Sequence, residues 1–256
     1  MTTLLIDGDM LLYKAAAGSE SLVQWDHDWW ILGGNLGEAR DLVADEINQL
    51  TARFSAKQHF FCLSDQPTVF RHDIYPAYKA GRGRKPLVYA ALREWVISEY
   101  NVVIRNKLEA DDCMGILMTG PRSKKEDMII VSDDKDMLTV PGVHWRMGEL
   151  ITTTPEEAWE LFLTQALTGD STDGYNGCPG VGPVKANNLL TKNGFSWETV
   201  VAAYTKAGLT ADDALLNGRL ARILHFEDWD AKRQSVRLWQ PPPLPECNST
   251  ENKVET

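Results

Sequence analysis

Three short apolar runs in this chain each end on aspartate: Thr3–Ile6 before Asp7, His59–Leu63 before Asp65, and Met128–Val131 before Asp134 and Asp136. Unbroken apolar runs of this length read as strands covered on both faces, as in a parallel sheet. Segments of helical spacing lie between them. Glu38–Phe54 carries Leu42, Val43, Ile47 and Leu50 at helical intervals; Leu87–Tyr100 follows, then Ala110–Thr119, stopped by Gly120-Pro121. Val102–Ile104 reads as a further strand, and Val143–Ile151 as a hairpin around Gly148. Asp7-Gly8-Asp9 reads as a turn. The alternation predicts an α/β fold with a mostly parallel central sheet flanked by helices. In such sheets ligands bind beyond the carboxyl ends of the strands, which is where these aspartates fall.

More acids follow: Glu109, Asp111 and Asp112 in KLEADD, and Asp170 and Asp173 in ALTGDSTDG. Each segment alone has an ordinary explanation as a turn or a helix cap. Together they need another. Packed without cations they would repel, and each unpaired buried charge would cost several kcal/mol or more. Divalent cations remove that cost, and the chemistry that wants many carboxylates beside a phosphate is metal-assisted phosphodiester hydrolysis. Asp134 and Asp136 are two apart, so in extended chain they point the same way. Glu109 and Asp111 converge if Glu109 sits at or before a helix N-cap, where the dipole also favours carboxylates. Asp170 and Asp173 share a face if their turn is helical.

The net charge of −10 argues against binding nucleic acid through bulk charge. Taking away nine of the acids above (Asp7, Asp65, Glu109, Asp111, Asp112, Asp134, Asp136, Asp170, Asp173) leaves −1, and Lys79, Arg82, Arg84 and Lys85 cluster within YPAYKAGRGRKP. Such a chain can grip DNA locally. The C-terminal third changes character. Pro155–Thr168 is an amphipathic helix with proline at its start. Gly177–Ala186, GCPGVGPVKA, looks like a helix-hairpin-helix. Its glycines let a DNA backbone approach, and N–H groups at the following helix start can hold a phosphate. The expected organisation is an α/β core over 1–154, a helical subdomain over 155–240 and a disordered polar tail over 241–256. The four cysteines show no CxxC pairing and read as reduced cytosolic thiols; the five histidines lack zinc-ligand spacing. No signal peptide and no membrane span are expected. Trp25, Trp29 and Trp30 receive no assignment.

Taken in order, LIDGDM, YKAGR, LEADD, SDDKD and GDSTDGY resemble the motifs of the flap endonuclease/5′→3′ exonuclease superfamily, and within it the exonucleases of lytic podophages. The resemblance runs from Leu4 to Pro241. It implies two Mg²⁺ ions, with Mn²⁺ as a substitute. Asp7, Asp65, Glu109 and Asp111 would hold one; Asp134, Asp136, Asp170 and Asp173 would serve the other or its waters, with Asp112 in the outer shell. Lys79 and Arg82 would contact the scissile phosphate from the base of a helical arch over about 71–100. Tyr78 would stack near the terminal base, and Arg84, Lys85 and Arg93 would line the arch. Gly180, Val181, Gly182 and Lys185 would hold the duplex backbone, with K⁺ as an optional ion there.

The implied activity is a 5′→3′ exonuclease with flap endonuclease activity on duplex DNA with a free 5′ end. It would serve phage DNA replication, recombination or primer removal. RNA–DNA hybrids, a single-strand-binding protein and the replisome are further partners it allows. The protein would be a monomer in the cytoplasm, that of the host cell if phage-encoded. There are two departures. Asp173-Gly174-Tyr175-Asn176-Gly177 stands where the polymerase branch has Asp-Asn-Ile-Pro-Gly, and Asp9 is acidic where many relatives are neutral. An RNA-directed nuclease, RNase H-like or of the PIN class, is an alternative; the helix-hairpin-helix argues against it. A non-catalytic structure-specific DNA-binding protein is another, and the full carboxylate set argues against that.

Overall fold

Leu4, Leu5 and Ile6 are almost wholly shielded from solvent, so the strand they form is covered on both faces. The computed structural model describes residues 1–242 and places this strand, β1 (Thr2–Asp7), in the middle of a six-stranded sheet. The chain runs on through α1 (Gly8–Gly18), β2 (Glu20–Asp26), β3 (Trp29–Gly34), α2 (Leu36–Phe54), β4 (Gln58–Cys62), α3 (Phe70–Ile74) and α4 (Tyr89–Glu99). Next come β5 (Val102–Val103), α5 (Ala110–Met118), β6 (Asp127–Val131), β7 (Gly142–Arg146) and β8 (Glu149–Thr153). The sheet order is β5-β4-β1-β6-β7-β8. All neighbours are parallel except β8, which folds back on β7. This is the expected sheet, and the hairpin around Gly148 is its edge.

Strand alternation sorts the core. Leu4 and Ile6 face α1, α2 and α4 with Leu12, Val43, Leu92 and Val96. Leu5 and Ile130 face α5 with Cys113, Met114 and Ile116. A third apolar cluster belongs to α6 (Pro155–Thr168), α7 (Pro183–Asn193), α8 (Trp197–Lys206) and α9 (Ala211–Ala221), around Phe162, Leu167, Trp197, Val200 and Tyr204. Two short strands, β9 (Trp229–Asp230) and β10 (Ser235–Val236), follow. Thr154 and Glu157 cap α6 reciprocally, and Pro155 occupies its first turn. None of the described helices is long and apolar enough to cross a membrane.

Several expectations change. Asp7-Gly8-Asp9 is not a turn: Asp7 caps α1, its Oδ1 accepting the Met10 N–H at 3.0 Å. Trp25, Trp29 and Trp30 lie exposed on the β2–β3 hairpin. Of the expected helical arch over about 71–100, α3 and α4 are helical, and the basic stretch between them is a turn-rich loop. Between α3 and α4, residues 76–81 form turns and 82–86 have no regular structure. Pro76 and Pro86, with Gly81 and Gly83 between them, disfavour helix there. The hairpin before α7 is likewise not a tight link between two helices, because the whole stretch 169–182 separates α6 from α7. Of the expected tail over 241–256, all from residue 243 lies outside the described residues.

Candidate active site

The parallel pairing puts the ends of β4, β1 and β6 side by side, with Asp7 opposite Cys62 and Ile6 opposite Val131. Asp7, Asp65 and Asp134 therefore share the carboxyl edge of the sheet. Asp7 is 5 % exposed, and Ser132 donates its hydroxyl to Oδ2 at 2.7 Å. Burial pushes Asp7 up to about 6, against the hydrogen bonds from Ser132 and Met10. Asp134 caps a short 3-10 helix, Lys135–Thr139, by accepting the Asp136 N–H at 2.9 Å. Asp136 is also pushed up to about 6, by burial and then by the charge of Asp134; Gln165 of α6 donates to its Oδ2 at 2.7 Å.

Glu109 is the N-cap of α5, and Asp111 lies in its first turn. Burial, then the charges of Asp7 and Asp134, raise Asp111 well above the usual carboxylate range. Glu109 behaves oppositely. Burial would raise it, but Lys79 and Arg71 outweigh burial and hold it at about 2. The Lys79 Nζ lies 2.5 Å from Glu109 Oε1 and 3.4 Å from Asp173 Oδ2. The Arg82 Nη2 lies 3.1 Å from Asp173 Oδ1.

Asp170 and Asp173 sit on a loop closed at its neck by two glycines. Gly169 (φ +67°) and Gly177 (φ +63°) pack backbone to backbone, and a Cβ on Gly169 would fall 2.3 Å from the Gly177 nitrogen. No other residue fits there. Asp170 accepts the N–H groups of Thr172 and Asp173, and its backbone pairs with that of Tyr175. The loop meets the basic segment directly: the Lys79 N–H donates to the Asp173 carbonyl at 2.9 Å. The result is a cleft of about 430 Å³ lined by Lys79, Arg82, Asp111, Asp134, Asp136, Asp170 and Asp173.

The structure relocates other expected residues. Tyr78 is 3 % exposed and donates its hydroxyl to Glu109 and Asp173, so it cannot stack on a base. Asp112 is fully buried and turned from the cleft. Both its oxygens are taken by Arg71 and by backbone N–H groups, so it would act on a cation only through those partners. Asp65 is outside the cleft lining; its oxygens accept the N–H groups of Gln66 and Lys107. Arg84 pairs with Glu20, Lys85 lies over the Tyr89 ring, and Arg93 on α4 donates to the Ser64 carbonyl. Arg93 thus braces the core rather than an arch. Val181 is buried in the helical cluster, whereas Gly180, Gly182 and Lys185 are exposed. Lys185 Nζ donates to the Gly180 carbonyl at 3.0 Å.

Residues 2–160 match the 5′-3′ exonuclease, N-terminal resolvase-like domain. The chain belongs to this family. It is 27 % identical to the exodeoxyribonuclease of Enterobacteria phage T3, over 93 % of this chain and 92 % of that protein. It is 26 % identical to the exonuclease of Escherichia phage T7, over 93 % of each. In fold it resembles the T5 5′-exonuclease solved with bound zinc ions, with a TM-score of 0.64 at 15 % identity, covering 86 % of this chain and 89 % of that one.

Sequence reasoning about this 5′-3′ exonuclease family member missed Arg71, Ser132 and Gln165, all of which hold site carboxylates. No local signal marked them, because each meets its carboxylate across 29 residues or more.

Proposed function

We propose that this nuclease hydrolyses DNA phosphodiesters from the 5′ end with the help of two divalent cations, Mg²⁺ first and Mn²⁺ as a substitute. The observation that carries the reading is the cleft's charge order. Acids from the edge of a parallel sheet meet Asp170 and Asp173 from the helical part, with Lys79 and Arg82 between them.

The donors suit a hard cation. They are carboxylate oxygens, and Asp111 accepts no hydrogen bond among the described residues although burial opposes its charge. Among the described residues no three of these acids are already gathered around one ion position. Their mutual repulsion and their pairing with Lys79 and Arg82 account for that spread. Bound cations would supply positive charge beside the phosphate and activation of water. The chain's own part is different. Lys79 and Arg82 would bind the phosphate, and Glu109 and Asp173, which pair with them here, would help to hold the cations. Ser132 and Gln165 hold Asp7 and Asp136 in place. Gly180, Gly182 and Lys185 would receive the duplex backbone, with K⁺ as an optional ion there.

The kinship to the phage T3 and T7 nucleases supports DNA as substrate, and a T5 flap endonuclease has been solved as a pseudo-enzyme-product complex with DNA and metal ions. On this reading the enzyme acts as a monomer on duplexes with a free 5′ end and on flaps. Incubating 5′- and 3′-labelled duplex and flap DNA with and without Mg²⁺ tests it. Mg²⁺-dependent release of short 5′-labelled products is expected; cleavage in chelator, or from the 3′ end, would overturn the reading.

A further inference from the structure

Arg71 is 3 % exposed, and every N–H of its guanidinium is used. Nε donates to the Leu220 carbonyl at 3.0 Å. Nη1 donates to Glu109 Oε2 and to Asp112 Oδ2, each at 2.7 Å. Nη2 donates to Asp112 Oδ1 at 2.9 Å and to the Arg222 carbonyl at 2.6 Å. Asp112 completes its own set with the N–H groups of Leu224 and Glu109, both at 3.2 Å. A single buried cation thus ties the start of α5, on the sheet side, to the chain leaving α9, on the helical side.

We propose that Arg71 is a positioning residue for the nuclease reaction. It holds Glu109 by Oε2, leaving Oε1 to Lys79, and it seats the end of α9. The acids of the sheet edge and those of the 169–177 loop are thereby kept beside one cleft. This rests on reading the cleft as a cation-dependent nuclease centre.

The chemistry calls for arginine. Its planar fork reaches two carboxylates and two carbonyls in different directions at once, whereas a lysine ammonium offers three donors from one point. Partners that orient metal-binding side chains typically change metal affinity about 10–100-fold when lost. Arg71 borders the cleft, but it is 3 % exposed and all its N–H groups are used, so its effect runs through Glu109 and not through the substrate. A purely structural Arg71 would lower the melting temperature but leave the cation affinity of the folded protein unchanged.

The test uses the full chain with Arg71→Lys, Asp112→Asn and Glu109→Gln. Mn²⁺ affinity is measured by titration calorimetry without DNA, duplex affinity without added cation, and amide hydrogen exchange at Leu224. For folded Arg71→Lys and Asp112→Asn, Mn²⁺ affinity should fall about 10–100-fold. Exchange at Leu224 should quicken, and duplex affinity should stay within about threefold, under 0.7 kcal/mol. Wild-type Mn²⁺ affinity in folded Arg71→Lys overturns the proposal. If that variant does not fold, Asp112→Asn decides by the same criterion. Glu109→Gln separates the two claims. If it binds Mn²⁺ as wild type does, the cation-site reading falls and the proposal with it. If it loses Mn²⁺ while Arg71→Lys keeps it, only the positioning role falls.

Discussion

Lys79 Nζ lies 2.5 Å from Glu109 Oε1, joining a cation suited to phosphate with an acid suited to a metal ion. The Lys79 side chain is 14 % exposed and has a left-handed backbone (φ +56°). Burial alone would lower the lysine's pKa, but Glu109 and Asp173 outweigh it and raise it. A buried pair of this kind is held by geometry, and either partner left alone is an uncompensated charge. A divalent cation held by Glu109 would compete with Lys79 for that carboxylate and would leave the ammonium available to a phosphate.

Lys79→Ala should therefore act on the chemical step. The single-turnover rate at saturating duplex should fall about 100-fold or more, with duplex affinity within about threefold. A solvated basic loop predicts the reverse: weaker binding, an unchanged rate and rescue at low salt. Arg82→Lys should also be slow, because a planar guanidinium able to grip a phosphate with two N–H groups is lost.

Tyr78→Phe separates support from stacking. The buried hydroxyl bridges Glu109 and Asp173 at 3.0 and 2.9 Å. Its removal leaves two acids short of a donor and should cost about 1–3 kcal/mol of stability. A base-stacking role would spare Tyr78→Phe, because the ring remains. Thermal unfolding decides between them.

The acids also predict how pH and cations combine. Asp7 and Asp136 are raised from 3.8 to about 6 by burial. The stability they contribute is present in full below pH 3.8 and is lost as pH rises through about 6. Glu109, lowered from 4.5 to about 2, contributes above pH 4.5 and loses it as pH falls toward 2. Cation-free protein should therefore melt several degrees lower at pH 7 than at pH 5. Mg²⁺ should raise the melting temperature more at pH 7, where the carboxylates are already ionised. Scanning calorimetry at both pH values measures this; an equal Mg²⁺ effect at both would contradict it.

The two glycines of the expected duplex clamp should differ. Gly180 has φ +67°, and Gly180→Val should cost stability whether or not DNA binds there, roughly 1–2 kcal/mol or more. Gly182 has an ordinary backbone (φ −90°), and a Cβ would meet nothing within 4 Å. Gly182→Val should keep its melting temperature and still weaken duplex binding, through lost backbone approach. Lys185→Ala should flatten the salt dependence by a slope of about one. Unchanged binding by both variants would remove the clamp from the account.

The sheet edge was legible because its signal is local: an apolar run, then aspartate, three times along the chain. The same holds for α6, which proline at the start of an amphipathic stretch announces. Helix α1 was hidden because Asp7-Gly8-Asp9 carries a turn signal and a cap signal together, and only the Met10 N–H decides between them. The β2–β3 hairpin is exposed on both faces, so no burial alternation marks it. Tyr78 and Arg71 were illegible for another reason. Tyr78 meets an acid 95 residues away, and Arg71 a carbonyl 149 residues away. A tyrosine or arginine in a polar segment looks the same whether it ends in solvent or under a second core.

The central claim is that the carboxylates at the end of β6 and in the 169–177 loop serve cations that cut DNA from its 5′ end. Cleavage of 5′-labelled duplex by wild type and by Asp134→Ala, at matched Mg²⁺ and under single turnover, tests it most directly. Wild type should release short 5′ products only with Mg²⁺. Asp134→Ala should be slower by about 100-fold or more while binding duplex within about threefold of wild type. Near-normal turnover by folded Asp134→Ala would contradict the account.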